Sequence, residues 1–430
     1  MLVQKKNVLI FPAGSEIGFE IYDSLKYSHH VNVFGASGRS DHASFLYSSE
    51  RYIEDPRLFI DCPEFIDFLN ECLEKLDIQF IFPTHDTISF YLAKNQARLK
   101  ATVITSCVET NDIARHKSKT YELFRNESFI PKVYADPPEN FDAPLFLKPD
   151  EGQGGKGAFC VETRAELEYH LQRNRSLIIC EYLPGEELSV DCFTDFRGRL
   201  LFVGPRSRDR INIGISFRTT SVEPDSEILG IANTLNQKLS FDGAWFFQVK
   251  KDRDGAYKLL EIAPRQSSTM GLYRFAGVNF ALLSFFNAQK IKVKIGTNPG
   301  RFQLDRCLRS RYKSDIIYNH VYIDFDETII ADNKAHPLVM AFLYQCRNKN
   351  IRITLITKHE YDLDKTLAQA QISKKIFNQI IHLKVSDRKV EYLDPEGSIF
   401  IDNHWADREV ARRSLGIPVF DVDAIECLLK

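Results

Sequence analysis

Lys148 and the glycines that follow it could bind a polyphosphate. The lysine follows the apolar run 145–147 and precedes Pro149 and the segment Gly-Gln-Gly-Gly-Lys-Gly at 152–157. Glycines let backbone N–H groups approach phosphate oxygens closely, and a lysine behind them can neutralise the charge. The segment is not a Walker loop, because no Gly-Lys-Ser/Thr triplet opens a helix. The pattern predicts a phosphate-binding loop, with a flexible turn as the alternative.

Acidic and amide side chains later in the chain could complete a nucleotide site. Glu181 and Glu187 flank a polar break between two predicted strands, where an acid and exposed backbone can bind an adenine edge and a second acid can hold ribose hydroxyls. Gln248 and Glu261 lie on two neighbouring predicted strands, with Arg265 just beyond. Hard oxygen ligands beside phosphates indicate a magnesium site. Taken singly, each piece is better explained as a solvated strand end.

A second group of chemistry-bearing residues lies near the C-terminus. Asp324 and Asp326 end a predicted buried strand and, two residues apart, project to the same side. One carboxylate can attack phosphorus while the other donates a proton to the leaving oxygen. Thr357, Lys389 and Asp402 follow later strands, where they could hold a phosphoryl group and complete a magnesium site. The alternative is that these aspartates only cap the following helices.

The surrounding elements must position these residues. Strand and helix patterns alternate over the first hundred residues, which predicts a parallel, doubly wound sheet. From about 145 to 296 the strands are longer, as in an α+β domain, and alternation returns after 320. Residues 297–319, rich in Arg, Asn and Tyr, look like a linker or an interdomain surface. We therefore predict a multidomain α/β and α+β protein with domains over residues 1–110, 111–300 and 316–430.

Composition excludes several classes of partner. With 44% hydrophobic and 27% charged residues, the chain is typical of soluble globular proteins. A net charge of -2 argues against a nucleic acid or an anionic membrane as partner. The 9 cysteines are scattered, as expected of free thiols in a reducing cytosol. No apolar run approaches the roughly 20 residues that span a bilayer. We expect a cytoplasmic protein; its oligomeric state stays open, and a homo-oligomer is compatible with the sequence.

Residues 1 to about 295 resemble the ATP-grasp superfamily, nearest to the branch that contains the carbamoyl-phosphate synthase large subunit. The motifs that carry the resemblance are Lys117 in His-Lys-Ser-Lys-Thr, Lys148 with its glycine loop, the break at 181–187, and Glu-Ile-Ala-Pro-Arg at 261–265. The resemblance implies a Rossmann-like domain followed by an ATP-grasp domain. It also implies ATP and Mg²⁺ as cofactors.

The same resemblance assigns roles to individual residues. Gln248 and Glu261 would hold magnesium, and Arg265 would stabilise the transferring phosphoryl group or an acyl phosphate. Where the family pattern has asparagine, this chain has Ala263, so one metal ligand is absent. Contacts with ATP would come from Lys117, Lys148, Gly154, Gly155, Glu181, Leu183 and Glu187. The side facing the second substrate would include Arg208, Arg210 and Ser216, with His85 and Asp86 on a nearby loop.

Residues 316–430 resemble the haloacid dehalogenase-like superfamily, which implies a Rossmannoid domain. Asp324 would be the nucleophile and Asp326 the acid/base, with Thr357 and Lys389 holding the phosphoryl group. The Asp324 carboxylate, the Asp326 carbonyl and Asp402 would hold magnesium.

The match departs from the usual pattern at some positions. Lys384 is the alternative to Lys389, and Asn403 replaces a frequent second aspartate, although Asp407 fits a spaced form of the motif. The 22 residues between Thr328 and Ile351 are too few for a large cap domain.

These patterns predict a two-enzyme fusion. The first part would be an ATP-dependent ligase that joins a small-molecule carboxylate to an amine through an acyl phosphate. The second would be a magnesium-dependent phosphatase acting on a phosphorylated metabolite. Three alternatives remain: carboxyphosphate chemistry of the carbamoyl-phosphate synthase kind, a phosphatase with a nucleotide-sensing ATP-grasp module, and a binding scaffold in which both sites are inactive.

Overall fold

The computed structural model of the protein describes residues 5–139, 141, 143–152, 155–212 and 214–429. The chain divides into two compact units, Met1–Leu308 and Arg309–Lys430. The first two predicted domains both lie in the first unit. Among the described residues, no helix is both long and apolar enough to cross a membrane. All 9 cysteines are free thiols.

The first half of unit 1 is a five-stranded parallel sheet with strand order β3-β2-β1-β4-β5. Side chains alternate between the two faces of β1, so Val8 and Ile10 enter one apolar core while Leu9 and Phe11 enter another. Burial on both faces explains why the strand is a continuous apolar run. The elements are β1 (Lys6–Phe11), α1 (Glu16–Leu25), β2 (Val31–Ser37), β3 (Tyr52–Glu54), α2 (Phe65–Lys75), β4 (Ile78–Pro83), α3 (Asp86–Lys94) and β5 (Thr102–Val103).

Helices α1 and α3 start beyond the carboxyl ends of β1 and β4. Ser15 caps α1 by accepting a hydrogen bond from the Gly18 amide at 3.0 Å. Helix α3 begins at Asp86, directly after His85. The carboxyl edge of an open parallel sheet is where ligands usually bind. Both helix N-termini therefore mark this edge as the functional side.

The second half of unit 1 contains three antiparallel sheets, with orders β6-β9-β7-β8, β11-β10-β14-β15 and β12-β13-β16. Its elements are α4 (Val108–Arg115), α5 (Lys117–Leu123), β6 (Val133–Tyr134), β7 (Leu145–Lys148), β8 (Phe159–Val161), α6 (Arg164–Arg173), β9 (Ile178–Glu181), β10 (Glu187–Thr194), β11 (Leu200–Ser207), β12 (Arg210–Asn212), β13 (Ile215–Thr220), α7 (Ser226–Lys238), β14 (Gly243–Lys251), β15 (Tyr257–Ala263), α8 (Gly271–Phe275), α9 (Phe280–Ala288) and β16 (Gln303–Asp305).

Two late elements of unit 1 return to earlier parts of the chain. In α9, Phe285 enters the core of the first sheet and packs edge-on against Phe80, with ring centroids 5.2 Å apart. Strand β16 lies within 297–319, the stretch whose composition suggests a linker, and pairs with β13. Its Asp305 accepts hydrogen bonds from Arg210 and Arg218. Asp305 of this stretch thus forms cross-strand ion pairs, and unit 1 extends to Leu308.

Unit 2 is built around a five-stranded parallel sheet with order β21-β20-β17-β22-β23. All four residues of β17 are buried, as expected for a central strand. The elements are β17 (His320–Ile323), the hairpin β18 (Ile330–Ala331) and β19 (Lys334–Ala335), α10 (Pro337–Asn348), β20 (Arg352–Thr357), α11 (Leu363–Gln369), β21 (Gln379–His382), β22 (Ser398–Ile401), α12 (Trp405–Leu415), β23 (Val419–Phe420) and α13 (Ile425–Leu428). The prediction of a multidomain α/β fold is confirmed.

Candidate active sites

Unit 1 contains a central cavity of about 600 Å³. Its wall combines the carboxyl edge of the parallel sheet with strands β11, β14 and β15 and the segment after β15. Charged and polar groups supply much of the lining: Ser15, Glu16, His85, Asp86, Arg115, Lys117, Glu151, Lys156, Arg206, Arg208, Ser216, Gln248, Glu261, Arg265, Ser267, Ser268 and Thr269. The structure therefore brings eight sequence-predicted residues to one place: Lys117, Gln248, Glu261, Arg265, Arg208, Ser216, His85 and Asp86.

Gln248 and Glu261 face the cavity from neighbouring strands. They are directly opposite in the register of β14 and β15. Burial raises the pKa of Glu261, and nearby Lys117 offsets this only in part. Among the described residues, its carboxylate has no hydrogen-bond partner and no ion pair. A half-buried carboxylate that has no cation in direct contact and stands beside an amide oxygen fits a magnesium ion. Ala263 also lines the cavity but offers no ligand.

Two predicted lysines are associated with helix α5: Lys117 is its first residue, and Lys148 contacts its Tyr121. Lys117 begins the helix, lines the cavity and donates to the Asp150 carbonyl at 3.2 Å. Lys148 ends β7 and donates to the Tyr121 hydroxyl within the protein. Burial lowers the pKa of both ammonium groups. Lys148 is not part of the cavity wall formed by the described residues, so the structure brings only Lys117 directly to it.

Arg265 is held by an acid from the parallel-sheet half. Its Nε and Nη2 donate to the two carboxylate oxygens of Asp86 at 2.7 and 2.6 Å. Burial alone would raise the pKa of Asp86, but the Arg265 guanidinium outweighs it and lowers that pKa. Asp86 lines the cavity with its carboxylate bonded to Arg265, and its contact with a substrate stays a prediction. Because 179 positions separate the partners, no local pattern in the sequence could reveal this pair.

Two further arginines on or after β11 are also paired. Arg208 lines the cavity, and its Nε lies 2.7 Å from Glu187, the residue assigned to ribose. Arg206 is 2% exposed and donates to both oxygens of the fully buried Asp191. Neither Arg206 nor Asp191 was predicted as a site residue. The available signal was one charged residue in the interior of each of two strands, Asp191 in β10 and Arg206 in β11.

Other predicted residues lie outside the cavity wall. Glu181 accepts a hydrogen bond from the Lys132 amide at 2.8 Å, and Leu183 is buried. Arg210 is exposed, pairs with Asp305 and is not part of the cavity wall, so the structure does not bring it together with the other residues predicted for the second-substrate side. Gly155 has φ +69°, which favours glycine. Gly154 lies outside the described residues.

In unit 2, one lysine bridges two aspartates at the carboxyl edge of the sheet. Lys389 Nζ donates to Asp324 at 2.6 Å and to Asp402 at 2.7 Å, and all three side chains are buried. Burial and the neighbouring Asp402 raise the pKa of Asp324, while the two aspartates raise the pKa of Lys389 against the effect of burial. Two carboxylates that share one ammonium are close enough to share a metal ion, which fits a magnesium site.

Asp326 stands beside Thr357 and a histidine that sequence analysis overlooked. His359 Nδ1 lies 2.8 Å from Asp326 Oδ1, and Thr357 Oγ1 lies 3.5 Å from Oδ2. The backbone amide of His359 donates to Thr357 Oγ1 at 3.1 Å. His359 follows Thr357, the last residue of β20, by two positions. This closeness to a strand end was the local signal that could have identified it as a site residue.

The geometry separates the alternatives that the sequence left open in unit 2. Lys384 is exposed, whereas Lys389 is buried between the acids. Asn403 contacts Thr328. The Asp407 carboxylate lies 3.2 Å from His404 Nδ1, whereas the acid that accepts the hydrogen bond from Lys389 is Asp402. In the described part of the chain, no three His, Cys, Asp or Glu side chains form a metal-binding group. Any magnesium site here would therefore rest on two side chains and a backbone oxygen.

Comparison with known families places an ATP-grasp domain in unit 1. Residues 114–215 match the ATP-grasp domain family, and residues 173–301 match the family described as ATP-grasp in the biosynthetic pathway with Ter operon. D-aspartate ligase from Enterococcus faecium (strain Aus0004) is 25% identical over 308 residues, which cover 64% of this chain and 71% of that protein.

Solved structures agree in fold. Biotin carboxylase from Campylobacter jejuni, in a complex with β-γ-ATP, superposes with a TM-score of 0.56 at 15% identity, over 70% of this chain and 75% of that one. L-amino acid ligase from Bacillus licheniformis has a TM-score of 0.52 at 17% identity, over 67% and 75%. N5-carboxyaminoimidazole synthetase from Staphylococcus aureus, complexed with ADP, has a TM-score of 0.56 at 13% identity, over 68% and 80%.

The two family matches cover residues 114–301, which supply most of the cavity wall. At such low identities the solved structures establish the fold alone, and the family matches establish the domain. The chain thus contains an ATP-grasp domain of the ATP-dependent ligase type, whose cofactors are ATP and Mg²⁺.

Proposed function

We propose that unit 1 is an ATP-dependent ligase that joins a small-molecule carboxylate to an amine. The observation that carries the proposal is the pairing of Gln248 with Glu261 in a cavity wall that also contains cationic Lys117 and Arg265. Oxygen ligands and cations around one cavity suit a magnesium–polyphosphate complex. The D-aspartate ligase relative supports an amino-acid carboxylate as the first substrate class to test.

The reaction would have two steps. A carboxylate oxygen attacks the γ-phosphorus of ATP, and the bond to the β-γ bridging oxygen breaks to release ADP. The amine nitrogen then attacks the acyl carbon of the acyl phosphate, the carbon–oxygen bond to phosphate breaks, and the nitrogen loses a proton. Magnesium would neutralise charge on the phosphates when bound. The protein's contribution is positioning and charge stabilisation, with Arg265 held in place by Asp86.

We assign the phosphate contacts to Lys117 and Lys148, with Gly154 and Gly155 of the glycine loop. Glu181 and Leu183 would border adenine, and Glu187 would hold the ribose once freed from Arg208. Carboxyphosphate chemistry of the carbamoyl-phosphate synthase kind is the rival, since it needs the same phosphate site.

Trapping with hydroxylamine tests the ligase proposal directly. Any acyl phosphate formed from ATP and a carboxylate reacts with hydroxylamine to give a hydroxamate and phosphate. We expect ADP and hydroxamate in equal amounts with at least one amino acid, and loss of both in Lys148→Ala. ADP formation that requires bicarbonate and no other carboxylate would favour the carboxyphosphate rival instead. Lys75→Ala, which changes an exposed lysine in the last turn of α2, is the matched control.

For unit 2 we propose a phosphatase that uses an aspartate nucleophile, and the bridge of Lys389 to Asp324 and Asp402 supports it. Asp324 would attack phosphorus and form an aspartyl phosphate while Asp326 protonates the leaving oxygen. Water would then attack that phosphorus, releasing phosphate and the carboxylate. Thr357 and Lys389 would hold the phosphoryl oxygens, and magnesium on Asp324, the Asp326 carbonyl and Asp402 would neutralise charge. The domain would act on a phosphorylated metabolite.

Asp324→Asn tests this second activity, because it preserves volume but removes the nucleophile. Phosphate release from an aryl phosphate should fall to background while hydroxamate formation by unit 1 persists. Asp332→Asn, on the nearby hairpin turn, is the control. Wild-type phosphate release by the Asp324→Asn protein would exclude the covalent route.

A further inference from the structure

One part of the central cavity carries hydrogen-bond donors that the ligase chemistry above leaves unused. Arg206 lines the cavity, and its Nε and Nη2 donate hydrogen bonds to Asp191. Nη2 also donates to Ser267 Oγ at 3.0 Å. Its buried Nη1 atom has no hydrogen-bond partner among the described residues. Leaving such a donor unsatisfied costs about 1–3 kcal/mol. An acceptor on a bound molecule would remove that cost.

Ser268, the chain neighbour of the Ser267 that Arg206 contacts, supplies a second donor in the same cavity wall. It lines the cavity, and its Oγ accepts a hydrogen bond from Arg306 Nη1 at 3.1 Å. Since the oxygen accepts from the arginine, the hydroxyl proton is left to donate elsewhere. The described residues provide no acceptor for it. A hydroxyl polarised by a guanidinium is a good donor to an anion.

The charges around these donors also favour an anion. Asp191 neutralises Arg206, but within the described ranges Arg306 forms no ion pair with any carboxylate. Two acids lie within electrostatic range of Arg306: Glu20, which pairs with Arg274, and Glu16, which is exposed in the first turn of α1. The Arg306 charge is therefore not cancelled by a direct contact.

We propose that Arg206 Nη1 and the Ser268 hydroxyl, with Arg306 behind them, bind a second carboxylate of the substrate, one that ATP does not phosphorylate. This inference rests on the proposed ligase function and narrows its substrate to a dicarboxylate. Arg265 and Ser268 are three residues apart, so their Cα atoms lie within about 11 Å of each other. A short dicarboxylate, with or without an amino group, can place one carboxylate beside each of them.

Kinetics with matched carboxylates test the inference in the full chain. Succinate and D- and L-aspartate carry two carboxylates, whereas butyrate, asparagine and β-alanine carry one. With ATP, Mg²⁺ and hydroxylamine, we expect the KM of at least one dicarboxylate to be tenfold or more below that of its monocarboxylate counterpart. Ser268→Ala and Arg306→Gln should each raise this KM about tenfold, as expected for a charge-assisted hydrogen bond. Neither should change monocarboxylate KM or calorimetric affinity for ADP–Mg²⁺.

Arg57→Gln is the matched control, because Arg57 is exposed and pairs with Asp55 outside the cavity wall. Equal KM values for mono- and dicarboxylates, or equal effects of Ser268→Ala on both, would overturn the inference while leaving the ligase intact. If no carboxylate yields a hydroxamate, the ligase proposal fails separately. Calorimetry of succinate with the protein–ADP–Mg²⁺ complex then decides: binding weakened by Ser268→Ala supports the second-carboxylate site, and absence of binding refutes it.

Discussion

In the central cavity of unit 1, the Glu261 carboxylate has no counter-ion in direct contact within the described residues, whereas in unit 2 Lys389 bonds both Asp324 and Asp402. Among those residues, the first site leaves its half-buried acid without a direct partner, so a bound metal has no internal cation to displace. The second site neutralises its buried acids internally, so a bound metal or phosphate must compete with a lysine. Carboxylates on neighbouring strands can therefore be kept available for a ligand in two ways.

The largest expected effect comes from removing the internal cation of unit 2. Lys389→Met leaves two buried carboxylates unpaired, so the free energy of unfolding of unit 2 should fall by about 3–5 kcal/mol without magnesium. Added Mg²⁺ should restore part of the loss. Urea titration followed by hydrogen exchange in β17, β20 and β22 measures it. Lys384→Met, an exposed lysine, should change stability by less than about 0.5 kcal/mol, and an equal loss there would refute the bridge as its cause.

The next largest effect should come from unit 1, where the pair of Asp86 and Arg265 joins the two halves of the unit. Asp86→Asn releases Arg265 from its bidentate partner, so the kcat for hydroxamate formation should fall about 100-fold, which corresponds to about 2.7 kcal/mol. Affinity for ADP–Mg²⁺, measured by calorimetry, should stay within a few-fold. Asp305→Asn is the control, since it weakens an exposed ion pair. A change in ADP affinity as large as that in kcat would indicate that Asp86 supports the fold rather than Arg265.

A smaller effect should follow from restoring the absent metal ligand. Ala263→Asn adds an amide oxygen to the cavity wall beside Glu261. We expect the apparent affinity for Mg²⁺ to rise about 3–10-fold, or up to about 1.4 kcal/mol. The side chain is 4% exposed, so Ala263→Val controls for crowding. Lower activity in the asparagine variant than in the valine variant would show that alanine suits this site.

The last expected effect is a pH dependence in unit 2, which develops only below about pH 6.5. Burial, with Arg352 nearby, lowers the pKa of His320 from 6.5 to about 4. Between these values the unfolded chain binds a proton that the folded unit does not, so the free energy of unfolding falls as pH drops from 6.5 to 4. His320→Asn should show a shallower decline over this window in chemical denaturation. Parallel curves for the two proteins would mean that other groups dominate acid sensitivity.

The sequence allowed the strand-end residues of unit 2 to be placed together, because parallel strands must bring their carboxyl ends to one edge. Asp324 and Asp402 follow β17 and β22, and Thr357 ends β20, and these three strands are adjacent in the sheet. Likewise, Gln248 and Glu261 could be anticipated as neighbours from two consecutive strands.

Partners from distant elements could not be predicted in the same way. The pairing of Arg265 with Asp86 depends on how two halves of unit 1 pack, and that information is spread over many apolar contacts. Lys148 shows a related limit. Its position after β7 was predicted, but its hydrogen bond to Tyr121, away from the cavity wall, depends on the placement of α5.

The return of α9 to the first sheet affects how this chain can fold during synthesis. Phe285 completes a core that begins with Val8 and Ile10, so the apolar face beneath α9 stays uncovered until residues 280–288 leave the ribosome. At about 5–20 residues per second, translation of the intervening segment takes tens of seconds. During that interval the first sheet is a partly formed domain with an open hydrophobic face. Such a nascent chain is the kind of species that chaperones bind, and synonymous changes that slow translation before residue 280 should lengthen its exposure.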